Sequence, residues 1–310
     1  MRSYLVGCAL VAGAGLVLSL GVICIRGATA SDAWQYLLWR SVAFVAVVAI
    51  IATIRHGIDP VTQIRRLGPV ARLSALAQVV SQITFVSAMM AGNTAEVFFL
   101  MSLTPLIAAL LARAVFGEAI GKAGAVAIAL ALGGVALMSG VLFGEISGGN
   151  WTARLLALAC AASFAMYSLA MRGSRAEELD AALVLTGCLA VTGSVIALLW
   201  QGIALVPRGI DVALALLHGG VVLATGLVLF ARGSRRVPVV TLVMLAQAET
   251  IAAPIWTWLI FNETTTLPVV LGGLIILAAV VLQAVDGGRR AGAAHARAGN
   301  DTDDRPAAQQ

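Results

Sequence analysis

Pro105-Leu106-Ile107-Ala108-Ala109-Leu110-Leu111-Ala112-Arg113-Ala114-Val115-Phe116-Gly117-Glu118 and Pro254-Ile255-Trp256-Thr257-Trp258-Leu259-Ile260-Phe261-Asn262-Glu263 are the two stretches that decide the fold. Each ends a long apolar run on a glutamate, and each is followed by another apolar run of about helix length. Glu118 and Glu263 stand 145 residues apart in a chain of 310, so the protein reads as one unit written twice. Membrane proteins made of two like halves usually place a substrate site between them.

Composition fixes the class. Sixty per cent of residues are apolar and 11% are charged, and the charges fall mostly between the apolar runs, the reverse of a soluble domain. About 20 apolar residues carry a helix across a bilayer. Ten segments qualify: 4–25, 34–54, 73–91, 94–116, 123–142, 152–171, 181–200, 212–231, 238–261 and 267–286. Spanning strands would show dyad alternation in segments of about ten residues, whereas these are apolar almost all round and rich in Ala, Leu and Gly. The expected fold is therefore an all-α membrane protein of ten transmembrane helices. Residues 4–142 form the first five-helix repeat, 152–286 the second, and 287–310 a tail without regular structure. Pro105 and Pro254 are the prolines that fall inside segments, where a freed carbonyl needs another partner.

Basic residues give the orientation. With the N-terminus in the cytoplasm, 16 Lys and Arg fall in inside loops and tails and three outside, at Arg26, Arg154 and Arg208. The positive-inside rule then puts both termini in the cytoplasm, in the inner membrane of the cell. Five spans per half make the halves inverted repeats, with Glu118 at the inner face and Glu263 at the outer. The net charge of +5 is the residue of this topology and calls for no nucleic acid.

Arg2, the apolar run after it and Ala28-Thr29-Ala30 mimic a signal peptide with a cleavage site. The run is longer than a usual signal core, and Ile25-Arg26-Gly27 is similar to Met171-Arg172-Gly173, 146 residues on. A retained first helix is the expectation. Cys8, Cys24, Cys160 and Cys188 all lie inside spans without metal-ligand spacing, and His56, His218 and His295 are too scattered for a zinc site. Neither metal nor cofactor is expected, and the aqueous segments hold no nucleophile-and-base pair, so the chain does not read as an enzyme.

Leu38-Trp39-Arg40 early in the second span, the Pro105 to Glu118 stretch and the run from Ala248-Glu249-Thr250 to Asn262-Glu263 resemble the EamA branch of the drug/metabolite transporter superfamily, from about residue 4 to 286. The chain departs from that pattern at Asn262, where glycine usually precedes the second glutamate, and in low identity between its halves. The resemblance implies a carrier with a central cavity, mostly an exporter of amino acids or other small metabolites, working by alternating access.

The polar residues within spans give a candidate path. Glu249 falls about halfway along the ninth segment, where an ionisable group costs roughly 2.5–3.5 kcal/mol on insertion scales. It is either a protonated carboxyl gluing helices or a proton-linked group. Arg40 lies six residues into the second segment; it either snorkels to headgroups, pairs with Glu249 or meets a substrate carboxylate. Ser74, Gln78 and Gln82 recur every four residues as one polar stripe of the third span. Ser163 and Tyr167 are likewise four apart, and Glu96 and Ser102 mark the fourth span. Trp256 is either a wall of the path or a packing residue. Glu118 and Glu263 are read as structural, capping the amides of the helix that follows each. Ala123, Ala127 and Ala131 permit close helix packing, within the chain or across a homodimer.

Without a Walker-type loop the chain makes no direct use of ATP. The expected function is secondary transport of a small polar or zwitterionic metabolite past Arg40, Gln78, Gln82, Tyr167 and Glu249. The alternative is a non-transporting membrane sensor or partner whose polar residues only hold helices together.

Overall fold

The computed structural model describes residues 2–57, 59–117, 121–139, 150–172, 178–207, 209–234, 236–237, 245 and 247–303. Among these there is helix and no strand. The elements are α1 Arg2–Ser19, α2 Gly21–Gly27, α3 Ala33–His56, α4 Pro60–Arg65, α5 Pro69–Ala91, α6 Thr94–Met101, α7 Thr104–Phe116, α8 Lys122–Met138, α9 Trp151–Arg172, α10 Glu178–Gln201 and α11 Asp211–Leu217. A π-helical segment, His218–Leu223, joins α11 to α12, Ala224–Ser234; α13 Ala248–Phe261 and α14 Leu267–Asp303 complete the set.

Among the described residues eight apolar spans are long enough to cross a membrane: Tyr4–Gly27, Ala33–Arg55, Pro69–Ala91, Thr94–Phe116, Trp151–Ala170, Asp180–Gln201, Asp211–Phe230 and Leu267–Asp286. Two further apolar helices, Lys122–Met138 and Ala248–Phe261, are shorter. They occupy the fifth and ninth expected segments, and residues 140–142, 238–244 and 246 of those segments lie outside the described residues. The chain is thus a multi-pass membrane protein. Its last helix runs on to Asp303, into the stretch expected to lack regular structure; frequent alanines there favour helix.

Local chemistry sets the helix ends. Asp32 and Gln35 form a capping box at the start of α3, Asn93 accepts the amides of Ala95 and Glu96 at the start of α6, and Asp59 caps α4. The two deciding stretches fold alike. α7 begins after Leu103 (φ −68°, ψ −11°) and α13 after Gln247 (φ −68°, ψ −9°). Both end on a left-handed residue, Gly117 at φ 70° and Asn262 at φ 52°. Asn262 is the one non-glycine residue of positive φ among those described. Asparagine is the side chain that best tolerates this conformation, so the departure from glycine keeps the same helix stop. Pro105 sits in the first turn of α7, where its missing N–H costs little, so the fourth span is broken at Ser102–Leu103 rather than continuous. Pro254 stays inside α13.

The first span is also interrupted, at Leu20 between α1 and α2. The main core gathers Val22, Ile25, Tyr36, Leu37, Val86, Met89, Phe98 and Phe99 with Ala127, Ala131, Ile276 and Val280. Ala127 and Ala131 are used inside the chain, where α8 and α14 approach so closely that a Cβ on Gly134 would lie 2.7 Å from the Gly272 carbonyl oxygen. Side-chain bonds collect four connections at one end of the bundle. Ala30 N donates to Asp211, Asn93 Nδ2 to the Thr264 carbonyl, Asn150 Nδ2 to the Ala91 carbonyl and Gln35 Nε2 to the Ala204 carbonyl. At the opposite end Arg55 pairs with Asp180 at 3.2 Å, and Gly68 N donates to Glu178.

Candidate substrate path

Arg40 is the most buried of the basic Arg and Lys side chains among the described residues. It is 4% exposed, so protein encloses it and it does not reach out as a snorkelling side chain would. Its Nη1 donates a long 3.4 Å bond to Gln82 Oε1, and its guanidinium carbon lies 6.0 Å from the Phe85 ring centroid. Its Nε is buried without a partner. Gln82 and Phe85 belong to α5, and Gln78, one turn earlier, holds a buried Oε1 with no partner either. The polar stripe of the third span therefore faces Arg40. Its first member, Ser74, bonds back to the Ala71 carbonyl at 2.7 Å.

Glu249 stands in the first turn of α13, close to where Gly15 of α1 crosses. Among the described residues its carboxylate has neither an ion-pair partner nor a hydrogen bond, so the expected alternative of an Arg40–Glu249 pair is not what the geometry shows. Both charges act electrostatically on one thiol, that of Cys160 on α9. Tyr167 is seven residues further along α9, on the same face, with its ring 5.5 Å from Phe164. Trp256 is half-buried and donates Nε1–H to Ser19 Oγ at 2.9 Å, where the first span breaks. It thus joins two helices.

Two further acid–base pairs lie inside the bundle among the described residues, while the buried Asp211 accepts the Ala30 amide. Glu263 does not cap the helix that follows it. Its Oε1 accepts Thr94 N at 2.6 Å and Arg26 Nη2 at 3.1 Å, and its Oε2 accepts Thr94 Oγ1 and Arg26 Nε. The first turn of α6, from the other half, is brought against the αL turn at Asn262 and takes the carboxylate. Arg26 also donates to the carbonyls of Met89, at 2.6 Å, and Gly92. Glu96 pairs with Arg154 Nε, and Arg154 stacks 4.9 Å over Trp151. Glu118 lies outside the described residues.

The sequence missed one group. His218 opens the π-helical segment, is 3% exposed, and shares a 2.9 Å hydrogen bond through Nδ1 with Tyr36 Oη. Its position inside an apolar segment was the available signal, since a lone histidine there must be bonded. Cysteine and histidine form no metal-holding group among the described residues.

A family model described as the EamA-like transporter family matches residues 5–140 and again 151–284. The chain belongs to the EamA-like transporter family. Its two matches divide the chain where the recurrence of Glu118 and Glu263 divides it. A comparison with curated proteins finds no match. Among solved structures, one described as "Crystal structure of protein" is similar over 91% of this chain and 98% of its own, at 18% identity and a TM-score of 0.59, a likeness of fold.

Proposed function

We propose that this EamA-like protein is a secondary transporter that exports a small zwitterionic metabolite, such as an amino acid, by alternating access between inverted halves of five spans each. One observation carries the reading. Arg40 is buried and Glu249 partly buried, charges of opposite sign both in reach of Cys160, and neither has a countercharge among the described residues. Burying an unpaired charge costs several kcal/mol, and a fold that merely needed helix glue would pair them, as it pairs Glu96 with Arg154. A substrate carboxylate supplies the counterion for Arg40, whose planar fork suits it, and a substrate ammonium supplies that for Glu249. Gln78, Gln82 and Tyr167 complete the polar lining. The interruptions at Leu20 and Ser102–Leu103 are the kind of broken helix that surrounds transporter sites.

In this reading the Arg26 end of the bundle faces outward and both termini lie in the cytoplasm, in line with the basic residues of the loops. Purified protein in liposomes, supplied with radiolabelled amino acids singly, tests the function. Uptake by wild type and none by Arg40→Lys is expected; equal retention by wild type, both variants Arg40→Lys and Glu249→Gln, and empty liposomes supports the sensor or partner instead.

A further inference from the structure

His218 has no part in the path as described, yet it touches α2 and the helix that carries Arg40. Its ring meets α2 at Gly21, where a Cβ would fall 2.5 Å from Nε2. It meets α3 through Tyr36 Oη, 2.9 Å from Nδ1, with ring centroids 6.0 Å apart. The next residue, Gly219, lies against the backbone of Arg40 itself; a Cβ there would come 1.9 Å from the Arg40 carbonyl oxygen, so no side chain can separate the two helices. Tyr36 and Arg40 are one turn apart on α3 and share a face. His218 and Arg40 are therefore two buried potential cations on adjoining helices, and they interact electrostatically.

Other ionisable groups lie near them, Cys160 on α9 acting on Arg40. Cys24 on α2 and Asp211 on α11 act on Tyr36, and the Asp211 carboxylate is engaged by Ala30 N. The part of α1 beside the break, Gly13–Ser19, carries no ionisable group, and α12 carries Arg232 two turns beyond the π segment. The π geometry, common at functional sites, supports a role beyond packing.

We infer that a proton on His218 and an anion on Arg40 bind together. Neutral His218 shares one hydrogen with Tyr36 Oη at Nδ1. Taking one proton from water makes both ring nitrogens donors, Nδ1 then donating to the Tyr36 oxygen, and no other bond is broken. That second positive charge repels Arg40 while Arg40 is bare, and an anion on Arg40 removes the repulsion. By reciprocity, anion binding draws a proton to His218, and protonation tightens the anion. A transporter built this way moves its carboxylate substrate with a proton. The inference rests on the transport reading for its use but not for its test.

The test is ¹⁵N-histidine NMR of the full chain in lipid nanodiscs from pH 4 to 9, with the His218 signal assigned by its loss in His218→Gln. In Arg40→Gln the ring should take up its proton at a pH higher by about one unit or more than in wild type, and in Arg40→Lys, which keeps the charge, it should not. Sodium acetate, as a bare carboxylate probe, should produce the same displacement in wild type and none in Arg40→Gln. If Arg40→Gln does not fold, the acetate titration of wild type decides. A His218 signal that ignores both acetate and the loss of Arg40, or that never titrates, overturns the linkage. That result leaves the liposome uptake of labelled amino acids as a separate question, and absent uptake with intact linkage removes only the transport reading.

Discussion

The Arg26 end of the bundle and its middle handle charge in opposite ways. At the end, Arg26 is bonded to Glu263, Thr94, Met89 and Gly92, and Arg154 to Glu96. In the middle, Arg40 holds a single long bond to a neutral amide and Glu249 holds none among the described residues. The end joins α2 and α6 from the first half to α9 and the turn after α13 from the second, so its ion pairs tie halves together. Pairing marks a charge the fold uses for itself, and the lack of it marks a charge kept for something that arrives.

Breaking the driest pair should have the largest effect on stability. Glu96 and Arg154 side chains are each 8% exposed, so Glu96→Gln leaves a buried guanidinium uncompensated, a loss of about 3–5 kcal/mol. Thermal unfolding in detergent should show it, and Glu96→Leu with Arg154→Leu should recover much of the loss. Full stability in the single variant would mean that the pair is not what joins α6 to α9.

The Arg26–Glu263 pair is wetter, at 19% and 18% side-chain exposure. Glu263→Gln keeps a bond to Thr94 and leaves Arg26 its carbonyl partners, so the expected cost is smaller, about 1.5–3 kcal/mol. The two unfolding curves, measured side by side, rank the pairs; the reverse order would contradict the burial difference.

Arg40→Lys should sharpen the contrast from the other side. A lysine keeps the charge but loses the fork, so stability should change by under about 1 kcal/mol while uptake falls at least about tenfold. A large destabilisation with normal uptake would place Arg40 with the structural charges. Glu249→Gln should insert normally, and its uptake should fall because the countercharge for the substrate ammonium is gone.

The smallest effect is expected at Asp59, on the fully exposed turn that caps α4. The Thr62 hydroxyl and the amides of Thr62 and Val61 hold its carboxyl below the usual range. The cap is therefore fully formed above the ordinary carboxylate range and is lost as pH falls through the lowered value. Asp59→Asn should differ from wild type in unfolding temperature only above that window, with uptake unchanged. A difference that persists in acid would point to something other than the charge.

Much of the fold was legible because a bilayer leaves few choices. Long apolar segments must be helices, and the repeated run to Glu118 and Glu263 announced two halves. Even the substitution of Asn262 for glycine obeyed a local rule, the preference for a left-handed helix stop. The break at Leu20 carried no such signal, since leucine is not a helix breaker. Arg40, Gln78, Gln82, Tyr167 and Glu249 could be singled out because polar groups are costly in an apolar segment, whatever surrounds them.

What surrounds them was decided only by tertiary structure. Cost tells that a buried charge needs a partner but not which one, because partners come from helices far apart in sequence. Arg26 and Glu263 are 237 residues apart, and Tyr36 and His218 are 182 apart. Periodicity along one helix cannot relate such distances. The sequence by itself determined that this is a two-repeat helical membrane protein with polar groups set inside it. Three-dimensional packing determined which of those groups satisfy one another and which are left with no countercharge, because pairing energy depends on separation in space and on the loss of water around it.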